Sequence, residues 1–348
     1  MDVIGKTFSL QKMTIKRRII WIDWAKSVCM FLVVLGHCHI QPSQQLITQV
    51  IYSFHIPLFF FLSGLLCPKI FSLTSLIKDI RFIIVPYFIY GILQIVIHAL
   101  LIGEISLHYL QHNISKLCIG FDPSIGAIWF LPALFICKQL FHLLQWAEQK
   151  SIITQFIILI ISLCSAYFIP QSHNLPFFAD SALIGLPFFL VGSKCFVLLD
   201  EEKINNPIKI ILVTIILFAL TIILSKYNGF VSIAICDYGN YFLLFILNAI
   251  TGIGAIIGTC IILKHYRFVY IIATSYGTVV TLGLHGFILL FLQYYIPQYL
   301  GYYTPYNNIA LAFLYAIITN LICCVIIKWG DCYCPLLLGL KGNLIKAE

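Results

Sequence analysis

The feature that most restricts the fold is a series of apolar segments, each about twenty residues long, that recurs along the whole sequence. A helix of that length crosses the roughly 30 Å hydrocarbon core of a bilayer. Only 10% of the residues are charged, whereas soluble domains contain about 25%. The alternating pattern of membrane β-strands is absent from the sequence. The chain is therefore predicted to be all-α, a polytopic bundle of transmembrane helices.

About ten segments have the length of a span, and they divide the chain into three parts. Residues 1–19 are predicted to form a tail, residues 20–328 a single transmembrane domain, and residues 329–348 a second tail. The predicted spans are 20–40, 46–67, 80–102, 127–146, 152–169, 181–199, 208–224, 241–263, 268–292 and 307–328. The segment 229–236 is apolar but too short to cross, so it is expected to be re-entrant or interfacial.

The distribution of Lys and Arg predicts the orientation of the bundle. If the amino terminus is cytoplasmic, eighteen basic residues lie on the cytoplasmic side, two lie outside (Lys116 and Lys226), and Lys26 lies within the first span. Basic residues accumulate on the cytoplasmic face of membrane proteins. Both termini are therefore expected in the cytoplasm, the longer outer loops at 103–126 and 225–240, and the protein in the cell (inner) membrane. The net charge of +8 does not indicate a nucleic-acid partner, because the basic residues are scattered over short loops.

The thirteen cysteines do not form a metal-binding or disulfide pattern. Most lie inside apolar spans, where cysteine behaves as a small hydrophobic residue, and no CxxC pair occurs. No metal site is therefore predicted.

The first span contains a lysine and a histidine in the stretch KSVCMFLVVLGH, residues 26–37. Eleven positions are about three helical turns, so Lys26 and His37 share a face and lie roughly 16 Å apart along the axis. Asp23, three positions before Lys26, is its predicted partner. Polar groups inside a span usually face a bundle interior or a wet cavity. The plainer interpretation is that Lys26 extends to the interface and His37 is a packing residue.

Six stretches in chain order resemble the acyltransferase 3 family of integral membrane acyltransferases, over about residues 18–330. The fourth and fifth are similar to the subset called fucose 4-O-acetylase-like. Lys26 stands where the family more often has Arg, and a lysine is a point charge rather than a bidentate fork. The stretches are IDWAKSVCMFLVVLGH (22–37), FHIPLFFFLSG (54–64), KDIRFIIVPY (78–87), AIWFLPALF (127–135), DSALIGLPFFLVG (180–192) and YGTVVTLGLHGFILL (276–290).

The resemblance implies a membrane O-acyltransferase, more narrowly an O-acetyltransferase. It implies that an acyl group moves from cytoplasmic acyl-CoA, with acetyl-CoA as the donor substrate, to a hydroxyl of a cell-surface glycan or its lipid-linked precursor. The implied partners are acyl-CoA, this acceptor and membrane lipid, with no permanently bound cofactor. His37 is expected to be the general base, grouped with Asp23 and Lys26. Direct acylation of His37 is the less favoured variant.

Residues outside the first span complete the predicted site, each with a plainer alternative. Lys78 and Arg81 are expected to bind the phosphates of acyl-CoA, or else to be anchors at the cytoplasmic face. The predicted acceptor pocket contains His55, Trp129, Asp180 and His285. The alternatives are a loop cap for His55 and an interfacial aromatic for Trp129. Surface positions in loops are expected for His108, His112 and His173.

Two rival functions remain after the resemblance is considered. A transporter or exporter of small solutes would use intramembrane His and Asp as a proton relay. That class is marked by inverted repeats with broken helices, which the sequence does not show. A non-catalytic membrane scaffold would leave Lys26, His37 and His285 without a role.

Overall fold

A computed structural model of the chain describes residues 18–68, 70–120, 123–148, 152–168, 175–195, 206–301, 307–336 and 338–340. These residues form helices joined by turns. The α-helices are α1 (Ile20–Gly36), α2 (Gln45–Leu66), α3 (Leu73–Asp79), α4 (Val85–Ile102), α5 (Leu107–Ile119), α6 (Phe130–Glu148), α7 (Ile152–Phe168), α8 (Ala179–Cys195), α9 (Pro207–Asn228), α10 (Phe242–Leu263), α11 (Val269–Tyr276), α12 (Thr278–Leu290), α13 (Ile296–Tyr299) and α14 (Ile309–Tyr333). Two π-helical segments, Ile80–Ile84 and Phe291–Tyr295, continue α3 and α12.

Eight helical stretches of the described chain are long and apolar enough to cross a membrane. The all-α, multi-pass architecture expected from the apolar segments is therefore confirmed. Helices α1 and α7 correspond to two further predicted spans, but each has only 17 residues, a length of about 26 Å. The eight stretches are Pro42–Leu66, Leu73–Ile102, Gly126–Gln145, Pro176–Cys195, Pro207–Asn228, Phe242–Leu263, Thr278–Tyr299 and Ile309–Tyr333.

The third span begins earlier than residue 80, where the sequence predicted it. The hydroxyl of Ser72 accepts a hydrogen bond from the backbone N–H of Ser75 at 3.1 Å, which starts α3 at Leu73. The helix then continues through the π-helical segment Ile80–Ile84 into α4. Lys78 and Arg81 therefore lie on a helix rather than in a loop before one.

The predicted unbroken span 268–292 is wrong, because the helix is interrupted at Gly277 between α11 and α12. Gly277 contacts α14 so closely that a Cβ atom there would lie 2.4 Å from Cδ1 of Ile327. The segment is apolar on both sides of the break, so hydropathy alone did not reveal it. The interruption separates the part of the segment that contacts Asp23 from the part that contains His285.

The connection 103–126, predicted to be a loop, contains the helix α5. Its start is capped by Ser106, whose hydroxyl accepts from the N–H of Tyr109 at 3.1 Å, and its end is Gly120 at a φ of 65°. His108 and His112 are exposed on this helix, whereas His173 lies outside the described residues. The segment 229–236, predicted to be too short to cross, is a loop with a 3-10 turn at Ile233–Ile235.

Helices α2 and α8 approach each other closely through two glycines. A Cβ on Gly64 would lie 2.0 Å from the carbonyl oxygen of Phe189, and a Cβ on Gly192 would lie 2.1 Å from the carbonyl oxygen of Phe61. Each glycine thus faces the backbone of the other helix. The residue that it meets there lies three positions before the other glycine. Small residues let membrane helices approach closely, so these two positions fix the centre of the bundle.

The last helix extends past residue 328, where the sequence predicted the start of the second tail. Helix α14 continues to Tyr333, and the turn after it packs back on the bundle. The hydroxyl of Tyr90 donates to the carbonyl of Leu338 at 3.4 Å, and Leu340 is buried. The remaining predicted tail residues, 1–17 and 341–348, lie outside the described residues.

Helix α1 contacts α2, α10, α11, α12 and α14, so its side chains face the interior of the bundle along much of its length. Its two ends carry different polar groups. The amino end, with Asp23, is called the Asp23 end below, and the carboxyl end, with His37, is called the His37 end. The neighbouring helices place their own polar residues at one end or the other.

Candidate functional site

His37 is the C-cap of α1 and lies where two cavities meet. Its backbone N–H donates to the carbonyls of Val33 and Val34, both at 3.2 Å, which ends the helix at this residue. Its side chain is exposed to the space between the helices. The two cavities have volumes of about 370 and 540 Å³, and both are lined by His37 and His39. Together they are called the His37 cavity.

Two other helices bring aromatic and imidazole rings to His37. The ring centroids of His37 and His285, from α12, are 5.1 Å apart. Tyr52, from α2, lies 6.2 Å from His37 and 4.9 Å from His55, one turn further along the same helix. The three histidines predicted as site residues are therefore gathered at one end of the bundle, although their helices are far apart in sequence.

Backbone hydrogen bonds fix the orientation of two of these rings. Nδ1 of His55 lies 2.8 Å from the carbonyl of Ile51, and Nδ1 of His285 lies 2.8 Å from the carbonyl of Thr281. A carbonyl only accepts, so in each neutral ring Nδ1 carries the hydrogen and Nε2 keeps its lone pair. Both rings are buried. The site therefore presents ring nitrogens that accept a hydrogen bond rather than donate one.

The wall of the smaller cavity depends on a glycine beside His37. A Cβ on Gly36 would lie 2.9 Å from Cε2 of Tyr52, so only glycine lets the Tyr52 ring pack against α1 here. Phe230, from the loop after α9, covers Tyr52 at a ring distance of 4.9 Å. The remaining polar side chains of this wall are Gln45, Thr48 and Gln49.

The wall of the larger cavity is built from α4, α5 and the segment after α12. Nδ1 of His98 and the hydroxyl of Tyr109 lie 2.7 Å apart, and Nδ2 of Asn113 donates to the carbonyl of Tyr109 at 2.9 Å. Gln94 and Gln293 line the same space. Amide, imidazole and phenol groups can donate to and accept from hydroxyl groups, so this wall is suited to a ligand rich in hydroxyls.

Asp23, predicted to act with His37, is instead part of a separate polar cluster. Its carboxylate accepts from Nε of Arg18 at 2.5 Å, from an amino group of the same arginine at 3.2 Å, and from the hydroxyl of Ser275 at 2.6 Å. Asp23 precedes His37 by fourteen positions, about 21 Å along α1. Asp23 and His37 therefore lie at opposite ends of the helix, as their spacing in the sequence predicts, and a catalytic role for Asp23 stays a prediction.

Lys26 also lies nearer the Asp23 end, in the second turn of α1. The sequence predicted Asp23 as its partner, whereas the described contacts of Asp23 are those with Arg18 and Ser275. The predicted distance to His37 of roughly 16 Å agrees with an uninterrupted α-helix between the two residues. The structure does not bring Lys26 to the His37 cavity.

Lys78 and Arg81 are exposed on α3 and the π-helical segment that follows it. Asp79 between them is turned inward, is buried, and forms an ion pair with Lys138 of α6. The guanidinium of Arg81 lies over the ring of Phe82 at 5.5 Å from its centroid. The two cations predicted to bind phosphate are thus accessible, and the nearby carboxylate is paired with a third cation.

Three of the four residues predicted for the acceptor pocket, His55, Trp129 and Asp180, line neither cavity. Trp129 is buried and packs against Phe130 and Phe178, at ring distances of 6.1 and 6.0 Å. Asp180 is buried in the first turn of α8, where its carboxylate accepts from the backbone N–H of Ser181 at 2.8 Å. The structure does not bring Trp129 or Asp180 to the His37 cavity, because Trp129 fills the core and Asp180 lies in the first turn of α8; their acceptor role stays a prediction.

Several cavity residues that were not predicted have a recognisable pattern in the sequence. Tyr52 lies one turn before His55, and Gln94 lies one turn before His98, so each pair shares a helix face. Gln293 lies one position past the predicted span 268–292, within the apolar helical stretch Thr278–Tyr299. Polar side chains in such segments usually face an interior cavity. The same rule that selected His37 would have selected these residues as well.

The comparisons with known proteins agree with a membrane acyltransferase. The family model Acyl_transf_3, described as an acyltransferase domain, matches residues 19–328. No curated protein and no solved structure matches the chain. The matched residues include α1 with His37, α12 with His285 and most of α14. The chain is therefore a multi-pass membrane protein that belongs to the Acyl_transf_3 family of acyltransferases.

Proposed function

We propose that the protein is an O-acetyltransferase that moves an acetyl group from cytoplasmic acetyl-CoA to a hydroxyl of a cell-surface glycan or its lipid-linked precursor. The observation that carries the proposal is the meeting of His37 and His285, 5.1 Å apart, in a cavity with polar walls. Family membership supplies the reaction class. The likeness of residues 127–135 and 180–192 to fucose 4-O-acetylase-like proteins favours a sugar as the acceptor.

In this proposal His37 is the general base. Its lone pair takes the proton from the acceptor hydroxyl while the hydroxyl oxygen attacks the thioester carbonyl of acetyl-CoA. A carbon–oxygen bond forms, and the carbonyl becomes a tetrahedral oxyanion. When the intermediate collapses, the carbon–sulfur bond breaks, and the protonated His37 returns the proton to the departing thiolate. The products are the acetyl ester and free CoA.

His285 has a positioning role in the same proposal. Because its Nδ1–H is donated to Thr281, its Nε2 can accept a hydrogen bond from one ring nitrogen of His37. That bond would leave the lone pair of His37 on the nitrogen that faces the cavity. An orienting partner of this kind sets which nitrogen acts as the base.

The donor is proposed to approach from the Asp23 end, where Lys78 and Arg81 are exposed. Acetyl-CoA is a polyanion, and the basic residues predict that this end faces the cytoplasm. The two cations would hold the phosphates, while the thioester arm extends along the bundle toward His37. Cysteine labelling or reporter fusions at both termini test this orientation, and an outward-facing carboxyl terminus would contradict it.

One observation favours the alternative function of a transporter. The interruption at Gly277 separates α11 from α12, and α12 contains the buried His285. Broken helices mark the substrate sites of many transporters. One experiment separates the two functions. The purified protein in detergent, given acetyl-CoA and a glycan acceptor, should release CoA and add one acetyl group per product, measured by mass spectrometry. Solute uptake into proteoliposomes without CoA release would favour the transporter.

A further inference from the structure

Gln293 lies in the π-helical segment Phe291–Tyr295, which directly follows α12. In a regular α-helix, eight positions would turn its side chain about 80° away from that of His285. A π-turn holds an additional residue per turn and so reduces this offset. Such segments occur frequently at functional sites. Both residues line the larger cavity, together with His37.

The amide oxygen of Gln293 is held by a backbone hydrogen bond, whereas its nitrogen has no oxygen or ring-nitrogen acceptor in the described chain. Oε1 accepts a hydrogen bond from the backbone N–H of His39 at 3.4 Å. Because a backbone N–H only donates, the side-chain atom that faces it must be the amide oxygen and not the amide nitrogen. Nε2 is buried and has no hydrogen-bond partner in the described part of the chain. The side chain also lies beside the thiol of Cys38, which donates to the carbonyls of Val34 and Ala312 and is only a weak acceptor.

The proposed reaction needs a hydrogen-bond donor that the imidazoles do not provide. His55 and His285 each give their Nδ1–H to a backbone carbonyl. The oxyanion that forms on the thioester carbon needs donors already in place around it. An amide nitrogen with two hydrogens meets this need, since it is buried without a partner in the described chain and belongs to a residue that lines the same cavity as His37. We infer that Gln293 is a catalytic residue that donates a hydrogen bond from Nε2 to the oxyanion of the acyl-transfer intermediate.

The inference rests on the proposed acetyl transfer, and Gln293→Glu tests it most directly. Glutamate keeps the shape and the oxygen that accepts from His39, but replaces the donor with a second acceptor. The expected result is a loss in kcat of about a hundred- to a thousandfold, the range found for single oxyanion donors. The KM values for acetyl-CoA and the acceptor should stay within about twofold, because the oxyanion exists only after attack on the thioester.

A matched pair of variants controls for the loss of a buried amide. Nε2 of Gln139, on α6, is also buried without a partner in the described chain, but Gln139 lines neither cavity. Gln293→Met should lose kcat as Gln293→Glu does, whereas Gln139→Met should keep the wild-type kcat. Thermal melting in detergent and acetyl-CoA binding measure whether each variant is folded.

Three outcomes would overturn the role of Gln293. A wild-type kcat in folded Gln293→Glu would exclude the donor while the proposed acetyl transfer stands. A loss confined to the KM for the acceptor would make Gln293 an acceptor-binding residue instead. If the wild-type protein releases no CoA with any acceptor, the proposed function fails, and the role of Gln293 fails with it.

Discussion

The two ends of α1 carry polar groups that are paired at one end and available at the other. At the Asp23 end, the carboxylate accepts three hydrogen bonds from Arg18 and Ser275, and an amino group of Arg18 also donates to the carbonyl of Ile272 at 3.3 Å. At the His37 end, His285 keeps a ring lone pair, and Gln293 keeps an amide nitrogen without a partner in the described chain.

The difference separates polar groups that hold helices together from groups that are ready to act on a ligand. A fully hydrogen-bonded cluster inside a bundle stabilises one arrangement of its helices. At the Asp23 end, such a cluster joins α1 to α11. Buried groups that lack a partner cost stability, so their place beside a cavity indicates a ligand or a reaction. Polar groups at the two ends of one helix therefore have different roles, and the position of their partners decides which.

The largest expected effect of a single change is at His37. His37→Ala should lower kcat by about a hundred- to ten-thousandfold, the usual contribution of a general base, with an unchanged melting temperature. CoA release by purified protein measures the rate. His108→Ala, exposed on α5, is the control and should keep wild-type activity. Near wild-type turnover in His37→Ala would remove the distinction between the two ends.

The next effect should appear at the exposed cations near the Asp23 end. Lys78→Ala and Arg81→Ala should each raise the KM for acetyl-CoA roughly ten- to a hundredfold, because each removes a charge-assisted bond to phosphate. The KM for the acceptor should stay constant. Lys209→Ala, also exposed but on α9, is a matched control. Unchanged KM values in both variants would show that the donor binds elsewhere.

A smaller effect, on stability rather than rate, is expected at Asp23. Asp23→Asn should lower the free energy of unfolding by about 1–3 kcal/mol, less than for a fully buried pair, because the side chain of Arg18 is 28% exposed. Thermal unfolding in detergent should report the loss, while the kcat of the folded fraction stays near the wild-type value. Adding Arg18→Gln should recover part of the stability. A selective loss of kcat would instead place Asp23 in the reaction.

The smallest expected effect is at the hydroxyl pair that also joins α1 to α11. Ser27 and Thr274 are buried, and their hydroxyl oxygens lie 2.5 Å apart. Thr274→Val should cost about 1 kcal/mol, because the Ser27 hydroxyl loses its partner while the shape of the side chain is kept. The same unfolding measurement applies, and activity should not change. A loss larger than that of Asp23→Asn would reverse the ranking of the two contacts.

The all-α membrane architecture could be predicted, and His37 could be selected as a candidate, because hydropathy and the cost of polar groups in a span are local properties. The break at Gly277 and the helix α5 could not be predicted from hydropathy. The first depends on how closely α14 approaches Gly277. The second lies in a polar connection, where the capping serine and the final glycine are short local signals.

The sequence by itself determined the class of protein and the approximate positions of most spans, and it marked His37 as a candidate site residue. Tertiary structure decided which residues join His37, because α2, α12 and the segment after α12 meet there only when the bundle is assembled. It also decided that Arg18 rather than Lys26 holds Asp23 in a bidentate contact, and that Trp129 fills the core. The physical reason is that a helical pattern fixes the face on which a side chain lies but not the neighbour that this face meets.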